Sequence, residues 1–351
     1  MLRSRSIIAI PPGETIKEQL IDKDMNQKEF AVRMDMSEKH ISRLINGEVQ
    51  LTPDVAVRLE VVLGPSARFW NNLEAIYREK IAKIEAESAM EGDVEIVKNF
   101  PYAEMANLGW VDKTRDNKEK VVNLRRYFEV VKLPLIEKDS ISKIACRRLA
   151  ITEKSDLALL AWAQKVKLES RGKETSLINI KKLIRLIPKI REMTVQDPKA
   201  FCPELVSDLS ECGIALVFVP HLKGSFLQGA TFINGHKIVI GMTTRGRDAD
   251  KFWFSLFHEL GHIVLGHVYN HGGTSKEDED AADKWARDTL IPPEAFEAFK
   301  DNNDYSRKSV LGFSEKQGIA PGIVVGRMQR EGMIKYTMLN DLKEKYDFLS
   351  D

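Results

Sequence analysis

Long hydrophobic runs, paired cysteines and a large net charge are all missing from this chain of 351 residues. No segment approaches the roughly 20 apolar residues that span a bilayer, and the first apolar run stops at Ile10, too early for a signal peptide. The three cysteines, Cys146, Cys202 and Cys212, are widely spaced and odd in number, so they form neither a disulfide framework nor a CxxC zinc pattern. These absences predict a cytoplasmic protein that does not act in a membrane.

The composition, 43% hydrophobic and 30% charged, is that of a soluble protein with room for two or three domains. The net charge of +1 conceals a segregation, because residues 113–192 carry 21 basic and 10 acidic groups, whereas residues 1–80 carry 12 of each. The basic excess is compatible with steering a polyanion or an acidic partner, and equally with a solvated helical surface.

Residues 26–53, NQKEFAVRMDMSEKHISRLINGEVQLTP, have the pattern of two short amphipathic helices. Apolar residues recur at spacings of three or four in each helix: Phe30, Ala31 and Met34, then Ile41, Leu44 and Ile45. Ser37 is a good N-cap for the second helix, and Gly47 is a good stop after it. Only a few residues around Asp35 link the two helices, as a helix-turn-helix requires.

The fuller stretch PGETIKEQL, NQKEFAVRM, SEKHISRLINGEVQLTPDVAVRLEVVLG and FWNNLEAIY resembles the Cro/repressor-type (XRE-like) helix-turn-helix family, in particular the HigA branch of antitoxin repressors. The resemblance covers Pro12 to Tyr77, almost the whole first domain. It implies an all-α domain over residues 1–80 that binds double-stranded DNA.

The resemblance also implies which polar residues meet the DNA. Gln27 would hold a phosphate at the start of the first helix, while Glu38, Lys39 and Arg43 would face base edges in the major groove. Arginine and lysine can bond guanine, and glutamate can accept from the cytosine amino group. Because residues 1–80 have no net charge, we expect modest affinity per monomer and therefore a homodimer on a two-part site.

Residues 81–199 are expected to form a basic helical connector. The stretches VVNLRRYFEVV, KSDLALLAWAQKVKLES and LINIKKLIRLIPKIREM have helical spacing, and no catalytic group of residues stands out among them. Pro188 is expected to kink or end its helix, because proline lacks the backbone N–H.

The pattern changes to short strands at about residue 200. Residues 213–220, GIALVFVP, are β-rich, and GATFI and HKIVI flank Asn234-Gly235, a strong signal for a two-residue hairpin. We therefore expect a small sheet, followed by a helix that either Asp248 or Asp250 could cap.

That helix contains FWFSLFHELGHIVLGH, residues 252–267, in which an apolar surface is combined with an HExxH pattern. His258 and His262 are four residues apart, so their imidazoles project from one face and can share a tetrahedral metal ion. Glu259 lies beside this pair, placed to take a proton from the attacking water. Gly261 leaves room in a crowded turn. The motif predicts a Zn²⁺ site.

One candidate third ligand, His267, lies five residues after the second histidine of the motif. The metzincin pattern HExxHxxGxxH does not fit, because it needs a glycine at position 265 and a histidine at position 268. This chain has Leu265 and Val268 instead.

The other candidate is Glu279 in KEDEDAADKWARDTLIP. Glu279 and Asp283 form the ExxxD arrangement of gluzincins, in which one carboxylate binds the metal and the other bonds the free N–H of a ligand histidine. We favour Glu279 as the third ligand and Asp283 as the residue that supports a ligand histidine. Glu277, Asp280 and His267 remain alternatives.

With these residues in place, the segment from Phe201 to Pro293 resembles the ImmA/IrrE family of metallopeptidases. The matching pieces are DKFWFSLFHELGHIVLGH, EDEDAADKWARDTLIP and the upstream IALVFVPHLKGSFLQGATFI. Family members often carry Glu-Ala-Asn where this chain has Ala281-Ala282-Asp283, and aspartate suits the supporting role at least as well. The resemblance implies a gluzincin-like α+β fold over residues 200–351. It selects no oxyanion-stabilising residue among the candidates Tyr269, His271, Arg245 and His221.

The expected protein is thus mainly α with a small β-sheet in its C-terminal domain. The two resemblances imply a DNA-binding regulator or antitoxin whose zinc-dependent peptidase domain hydrolyses a peptide bond in a repressor or regulatory protein. A toxin or a repressor would then be the protein partner. The alternative is a non-catalytic antitoxin or autorepressor whose metal site is structural or sensory.

Overall fold

The computed structural model describes residues 2–3, 8–88, 90–136, 153–225, 228–243, 248–270 and 273–346. The chain packs as two compact units, Met1–Asp93 and Val94–Asp351. The expectation of a mainly helical protein with a small sheet is confirmed, while the three-part division at residues 80 and 199 stays a prediction. None of the helices in the described ranges is long and apolar enough to cross a membrane.

The first unit is a bundle of short helices with one small hairpin at its start. Its helices are α1 (Pro12–Asp22), α2 (Gln27–Arg33), α3 (Glu38–Ile45), α4 (Pro53–Leu63) and α5 (Ala67–Ser88). Strands β1 (Leu2–Arg3) and β2 (Ile8–Ala9) pair antiparallel, so the expectation of an all-α domain is wrong in this one respect. A hairpin of two-residue strands has too few residues to show a period-2 pattern in the sequence.

Local hydrogen bonds explain where these helices begin and end. The side chains of Asn26, Ser37 and Thr52 each accept the backbone N–H three residues later, which confirms Ser37 as the N-cap of α3. Gly47 follows α3 with φ of +72°, and its N–H donates to the Leu44 carbonyl at 3.0 Å. This is the left-handed stop that glycine favours.

The second unit contains more helices around a three-stranded sheet; α6 (Glu91–Val97) spans the boundary between the units. Before the sheet come α7 (Tyr102–Asn107), α8 (Asn117–Phe128), α9 (Glu153–Ser170), α10 (Ile180–Glu192) and α11 (Pro198–Ser210). The strands are β3 (Ile214–Val219), β4 (Gly229–Asn234) and β5 (Lys237–Thr243). After them come α12 (Ala249–Val264), α13 (Lys276–Leu290), α14 (Pro293–Asp301), α15 (Arg307–Gln317) and α16 (Pro321–Arg330).

The sheet has the order β3-β5-β4, with β3 parallel and β4 antiparallel to β5. The predicted hairpin is present, but its two-residue loop is Gly235-His236, one residue later than the sequence indicated, because Asn234 pairs with Lys237. The Lys237 ammonium donates to the carbonyls of Ser170 and Lys173, which holds this residue in the strand. Strand β4 lies at the edge of the sheet.

Helix α12 is buried along almost its whole length and packs against β4, α13 and α16. Neither aspartate predicted to cap it does so. Asp248 occupies the N-cap position, but its carboxylate accepts from Lys251 at 2.6 Å, and the buried Asp250 accepts from Lys343 at 2.8 Å. Lys251, one turn away, and Lys343, 93 residues away, bind these carboxylates in place of a backbone N–H of the helix.

Two further expectations concern the connector and the cysteines. Helix α10 continues through Pro188 to Glu192, so the proline does not end it. Cys202 and Cys212 are free, and Cys146 lies outside the described residues.

Candidate nucleic-acid interface and candidate metal centre

Helix α3 exposes its polar residues to solvent, while its apolar face is buried. Ile41 and Leu44 are buried in the core of the first unit, whereas Glu38, Lys39 and Arg43 are exposed. The Arg43 Nε lies 3.6 Å from a carboxylate oxygen of Glu48, a loose contact between two half-exposed side chains. The three predicted base-contacting residues are therefore free of the core and available to a ligand.

The turn between α2 and α3 is fixed by a residue that the sequence pattern did not reveal. The turn occupies residues 34–37, and Asp35 in it has φ of +53°. The Arg58 guanidinium on α4 donates to the carbonyls of Met34 and Asp35 at 3.1 and 3.4 Å. Gln27 is exposed at the first position of α2, as the phosphate role requires.

Part of the basic excess in residues 113–192 is neutralised by neighbouring helices. On α10, the Lys182 ammonium contacts Glu211 at 2.6 Å, and Lys189 contacts Glu204 and Asp208 at 2.7 Å each. These acidic residues belong to α11 and the turn after it. For α10, this pairing favours a solvated helical surface over a surface for steering a polyanion.

Three side chains from α12 and α13 converge on one point. The Nε2 atoms of His258 and His262 are 3.0 Å apart, and the Glu279 carboxylate oxygens lie 3.3 Å from the first and 3.4 Å from the second. One ligand atom from each residue lies within 4.8 Å of the other two. Both histidines are buried because one turn of α12 separates them on the face that α13 covers.

This group has the chemistry of a zinc site. Two imidazoles and one carboxylate are the protein ligands of an open tetrahedral zinc site. Among the described residues, neither buried oxygen of Glu279 has a hydrogen-bond partner of good geometry. An orphaned buried carboxylate is costly unless a cation compensates it. The alternatives Glu277 and Asp280 are exposed and do not join the group.

Each histidine of the group has a different residue behind it. His258 Nδ1 lies 2.9 Å from the Asp283 carboxylate, as predicted, and the other oxygen of Asp283 accepts from Arg330 at 2.9 Å. Arg330 ends α16, and nothing in its surrounding sequence indicated a role at this site. His262 Nδ1 instead lies 3.0 Å from Nδ1 of His267, so His267 contacts the back of a ligand and is not part of the three-residue group.

The Glu259 side chain lies where α12 packs against the edge strand β4. The hydroxyl of the buried Thr231 donates to its Oε2 at 2.5 Å. A Cβ atom on Gly229 would lie 2.7 Å from Glu259 Oε1, so only glycine leaves the carboxylate this space. Burial raises the pKa of Glu259 to about 7, against the opposing effects of His258 and Thr231. Neither Thr231 nor Gly229 carried a functional signal in the sequence.

Both imidazoles have strongly perturbed pKa values, and the pKa of the Glu279 carboxylate is lowered. Burial would lower the pKa of His258, but the Asp283 and Glu279 carboxylates outweigh it and raise that pKa to about 9. Burial and the adjacent His258 lower the pKa of His262 to about 4. Burial would raise the pKa of Glu279, but the neighbouring imidazoles hold that pKa below its usual value. Such opposed shifts are typical of functional sites.

A cavity of about 1040 Å³ adjoins the group, and both His258 and Glu259 line it. Its other walls come from α13, α16 and the segment after α16, including Arg330 and Tyr336. Tyr269 and His221, two of the oxyanion candidates, do not line this cavity. Arg245 and His271 lie outside the described residues.

Close packing of α12 on α13 depends on Gly261. A Cβ atom there would lie 3.2 Å from the Trp285 ring and 3.3 Å from the Ala282 carbonyl oxygen. Gly261 therefore relieves crowding, as expected. The crowding comes from α13, the helix that carries Glu279.

Comparison with known proteins identifies relatives of the first unit. The sequence model of the helix-turn-helix family matches residues 16–69. An uncharacterised helix-turn-helix-type transcriptional regulator of Escherichia coli, YddM, is 40% identical over 63 residues, which are 18% of this chain and 67% of that protein.

Two solved structures are also similar. One is a proposed antidote protein of a plasmid maintenance system from Nostoc punctiforme, with 34% identity, a TM-score of 0.24, and coverage of 24% of this chain and 94% of that one. The other is an addiction module antidote protein of a HigA family from Coxiella burnetii, with 28% identity, a TM-score of 0.22, and coverage of 24% and 92%.

Proposed function

The chain belongs to the helix-turn-helix family of transcriptional regulators, and on this premise we propose that its first unit binds a double-stranded DNA operator through α3. The observation that carries this proposal is the exposure of Glu38, Lys39 and Arg43 on a helix whose other face is buried. Such a helix can enter the major groove, where Arg and Lys bond guanine and Glu accepts from cytosine. Gln27 would hold the neighbouring phosphate.

The test is a gel shift on the promoter of the protein's own gene. Replacing Glu38, Lys39 and Arg43 together by alanine should abolish the specific shift. Arg68→Ala, which removes an exposed arginine from α5, should leave it intact. Equal shifts from the wild type, the triple variant and Arg68→Ala would contradict the assignment of α3. Because residues 1–80 carry no net charge, we expect a homodimer on a two-part site, which light scattering and footprint length would measure.

For the second unit we propose a zinc-dependent peptidase of the ImmA/IrrE type. The supporting observation is one buried carboxylate, Glu259, next to the convergent His258, His262 and Glu279, at the wall of a cavity. When bound, zinc would polarise the scissile carbonyl and make water a stronger nucleophile. His258, His262 and Glu279 would hold it, with Asp283 and Arg330 keeping His258 in orientation.

The remaining chemistry falls to Glu259. As water attacks the peptide carbonyl, Oε1 of Glu259 takes its proton, while Thr231 holds Oε2 in place. Glu259 then delivers that proton to the amide nitrogen as the C–N bond breaks, so the products are a carboxylate and an amine. A pKa of about 7 suits a group that must both accept and release a proton near neutral pH.

The second candidate is a regulator without peptidase activity, whose metal site is structural or sensory. It is favoured by the enclosure of Glu259, which is only 2% exposed, accepts from Thr231 and fills the space beside Gly229. An enclosed carboxylate has little access to a polypeptide substrate.

A cleavage assay separates the two candidates. Wild type and Glu259→Gln would each be incubated with a repressor encoded nearby and with the full-length chain itself. Cleavage by wild type alone, with equal zinc content in both proteins, supports the peptidase. Equal cleavage by both, or none by either, favours the structural or sensory site.

Both units fit a regulator or antitoxin that binds DNA and also binds a protein partner, either a toxin or a repressor. The resemblance of residues 12–77 to HigA-type antitoxins supports this proposal. A small toxin gene adjacent to the gene for this chain, whose product co-purifies with it, would select the antitoxin role. Absence of such a partner together with cleavage of a repressor would select the peptidase regulator.

A further inference from the structure

His267 lies directly behind one of the candidate zinc ligands. It begins a short 3₁₀ turn, His267–Tyr269, that follows Gly266, whose φ is +81°. Its side chain is only 11% exposed, and its Nδ1 lies 3.0 Å from Nδ1 of His262. The Nε2 atom of His262 faces the opposite way, towards His258 and Glu279. The two nitrogens of His262 thus contact different groups.

The position of one proton follows from this geometry. A ligand imidazole offers a lone pair to the metal from one nitrogen and carries its proton on the other. If Nε2 of His262 faces the metal, its proton is on Nδ1, and Nδ1 of His267 is the acceptor within reach. His267 must then carry its own proton on Nε2, since a neutral imidazole has one donor and one acceptor.

The nitrogen that carries this second proton lies near a fixed carboxylate. His267 Nε2 lies 3.5 Å from Oδ1 of Asp278. The other oxygen of Asp278 accepts from the backbone N–H of Ser275 at 3.0 Å and from the Asn270 amide at 3.1 Å. The backbone N–H of Asp278 in turn donates to the Ser275 hydroxyl, so the capping box of α13 holds this aspartate. Asp278 immediately precedes Glu279, so the first turn of α13 carries both the candidate zinc ligand, Glu279, and the carboxylate beside His267, Asp278.

We propose that His267 is a positioning residue for zinc: it accepts the Nδ1–H of His262, is itself oriented by Asp278, and so fixes the tautomer in which His262 Nε2 faces the metal. This proposal rests on the proposed zinc site. The two histidines of the motif then have different supports, a carboxylate for His258 and a histidine backed by a carboxylate for His262.

The experiment measures zinc affinity of the full-length chain by competition with a chromophoric chelator. His267→Ala should bind zinc about 10- to 100-fold more weakly, the usual cost of losing a residue behind a ligand, while still binding one ion at saturation. His267→Gln should recover much of the affinity, because its side-chain carbonyl can accept the same N–H. His236→Ala, at the exposed hairpin turn, is the control for loss of a histidine.

Asp278→Asn and Ser275→Ala test the support from α13. Asp278→Asn should weaken zinc binding less than His267→Ala does, and it should have little further effect in a chain that already carries His267→Ala. Ser275→Ala removes the cap hydroxyl without touching His267, so an equal effect from it would attribute the loss to the helix cap. Circular dichroism would confirm that each variant is folded, and His267→Gln replaces His267→Ala if the latter unfolds.

Each of the following outcomes would overturn the proposal. Wild-type affinity in His267→Ala would show that His262 needs no such support. Complete loss of the ion at saturation, as expected for Glu279→Ala, would make His267 a ligand. Equal weakening in His267→Gln and His267→Ala would show that the hydrogen bond is not what matters. A wild-type chain that binds no zinc would instead overturn the proposed zinc site, and this proposal with it.

Discussion

Helices α3 and α12 carry the two candidate sites of this protein, and they differ most in burial. The polar residues of α3 that are assigned to DNA are exposed, whereas His258, Glu259 and His262 of α12 are 4%, 2% and 0% exposed. On α3, the helix alone determines where the side chains point. On α12, another residue fixes each functional side chain: Asp283, Thr231 and His267.

The difference has an energetic cause. An exposed polar side chain keeps its hydration, so a surface site needs only a stable helix beneath it. A buried imidazole or carboxylate loses hydration and must be compensated by hydrogen bonds or by a metal ion. Changes on α3 should therefore alter binding and leave folding nearly unaffected, whereas changes around α12 should propagate to neighbouring groups. The following predictions test this contrast.

The largest effect is expected for Glu279→Ala in the buried site. It removes the only carboxylate of the three-residue group, so zinc affinity should fall by more than the roughly 100-fold cost of losing a residue behind a ligand. Metal analysis of the purified protein measures this. Asp280→Ala, one residue along and exposed, should keep its zinc. Equal zinc content in the two variants would remove Glu279 from the ligand set.

A smaller but still large effect is expected for Gly229→Ala. The new methyl group would lie 2.7 Å from Glu259 Oε1, and displacement of a catalytic group by about 1 Å can cost about 100-fold in rate. Cleavage of an established protein substrate should drop accordingly, with zinc content unchanged. Gly312→Ala, which meets open space on α15, is the control. Full activity in Gly229→Ala would show that Glu259 does not need its observed position.

On the exposed side of the contrast, Arg43→Ala should weaken operator binding by about 1–3 kcal/mol, the value of one good base contact. Its melting temperature should remain within the small range of surface substitutions, because Arg43 makes only a loose contact with Glu48. Titration of operator and random DNA, together with thermal melting, would measure both. A marked loss of stability, or equal weakening on both DNAs, would contradict the assigned role.

The smallest effect is expected for Ser37→Ala at the start of α3. Loss of the hydroxyl that accepts the His40 N–H should destabilise the first unit by about 1 kcal/mol. DNA affinity should fall only as far as α3 frays. Ser42→Ala, inside the same helix, should not destabilise it, since alanine is the better helix former. Equal denaturation midpoints for the two variants would show that the cap contributes nothing.

Patterns within a few residues of each other predicted much of this protein. The cap at Ser37, the stop at Gly47 and the four-residue spacing of His258 and His262 follow from backbone geometry that repeats locally. Errors arose where a distant residue intervened. Asp250 pairs with Lys343, 93 residues away, instead of capping α12. The bonds from Lys237 to the distant carbonyls of Ser170 and Lys173 hold it in the strand opposite Asn234, which places the hairpin loop one residue later.

The sequence by itself determined the helix-turn-helix and the HExxH helix, and it favoured Glu279 and Asp283 as companions of the two histidines while leaving Glu277, Asp280 and His267 open. Tertiary structure alone placed Arg58 on the turn before α3, Arg330 behind Asp283, Thr231 on Glu259 and His267 behind His262. The physical reason is that helix periodicity fixes which residues share a face. The partner that a buried polar group finds depends on which other element packs against that face.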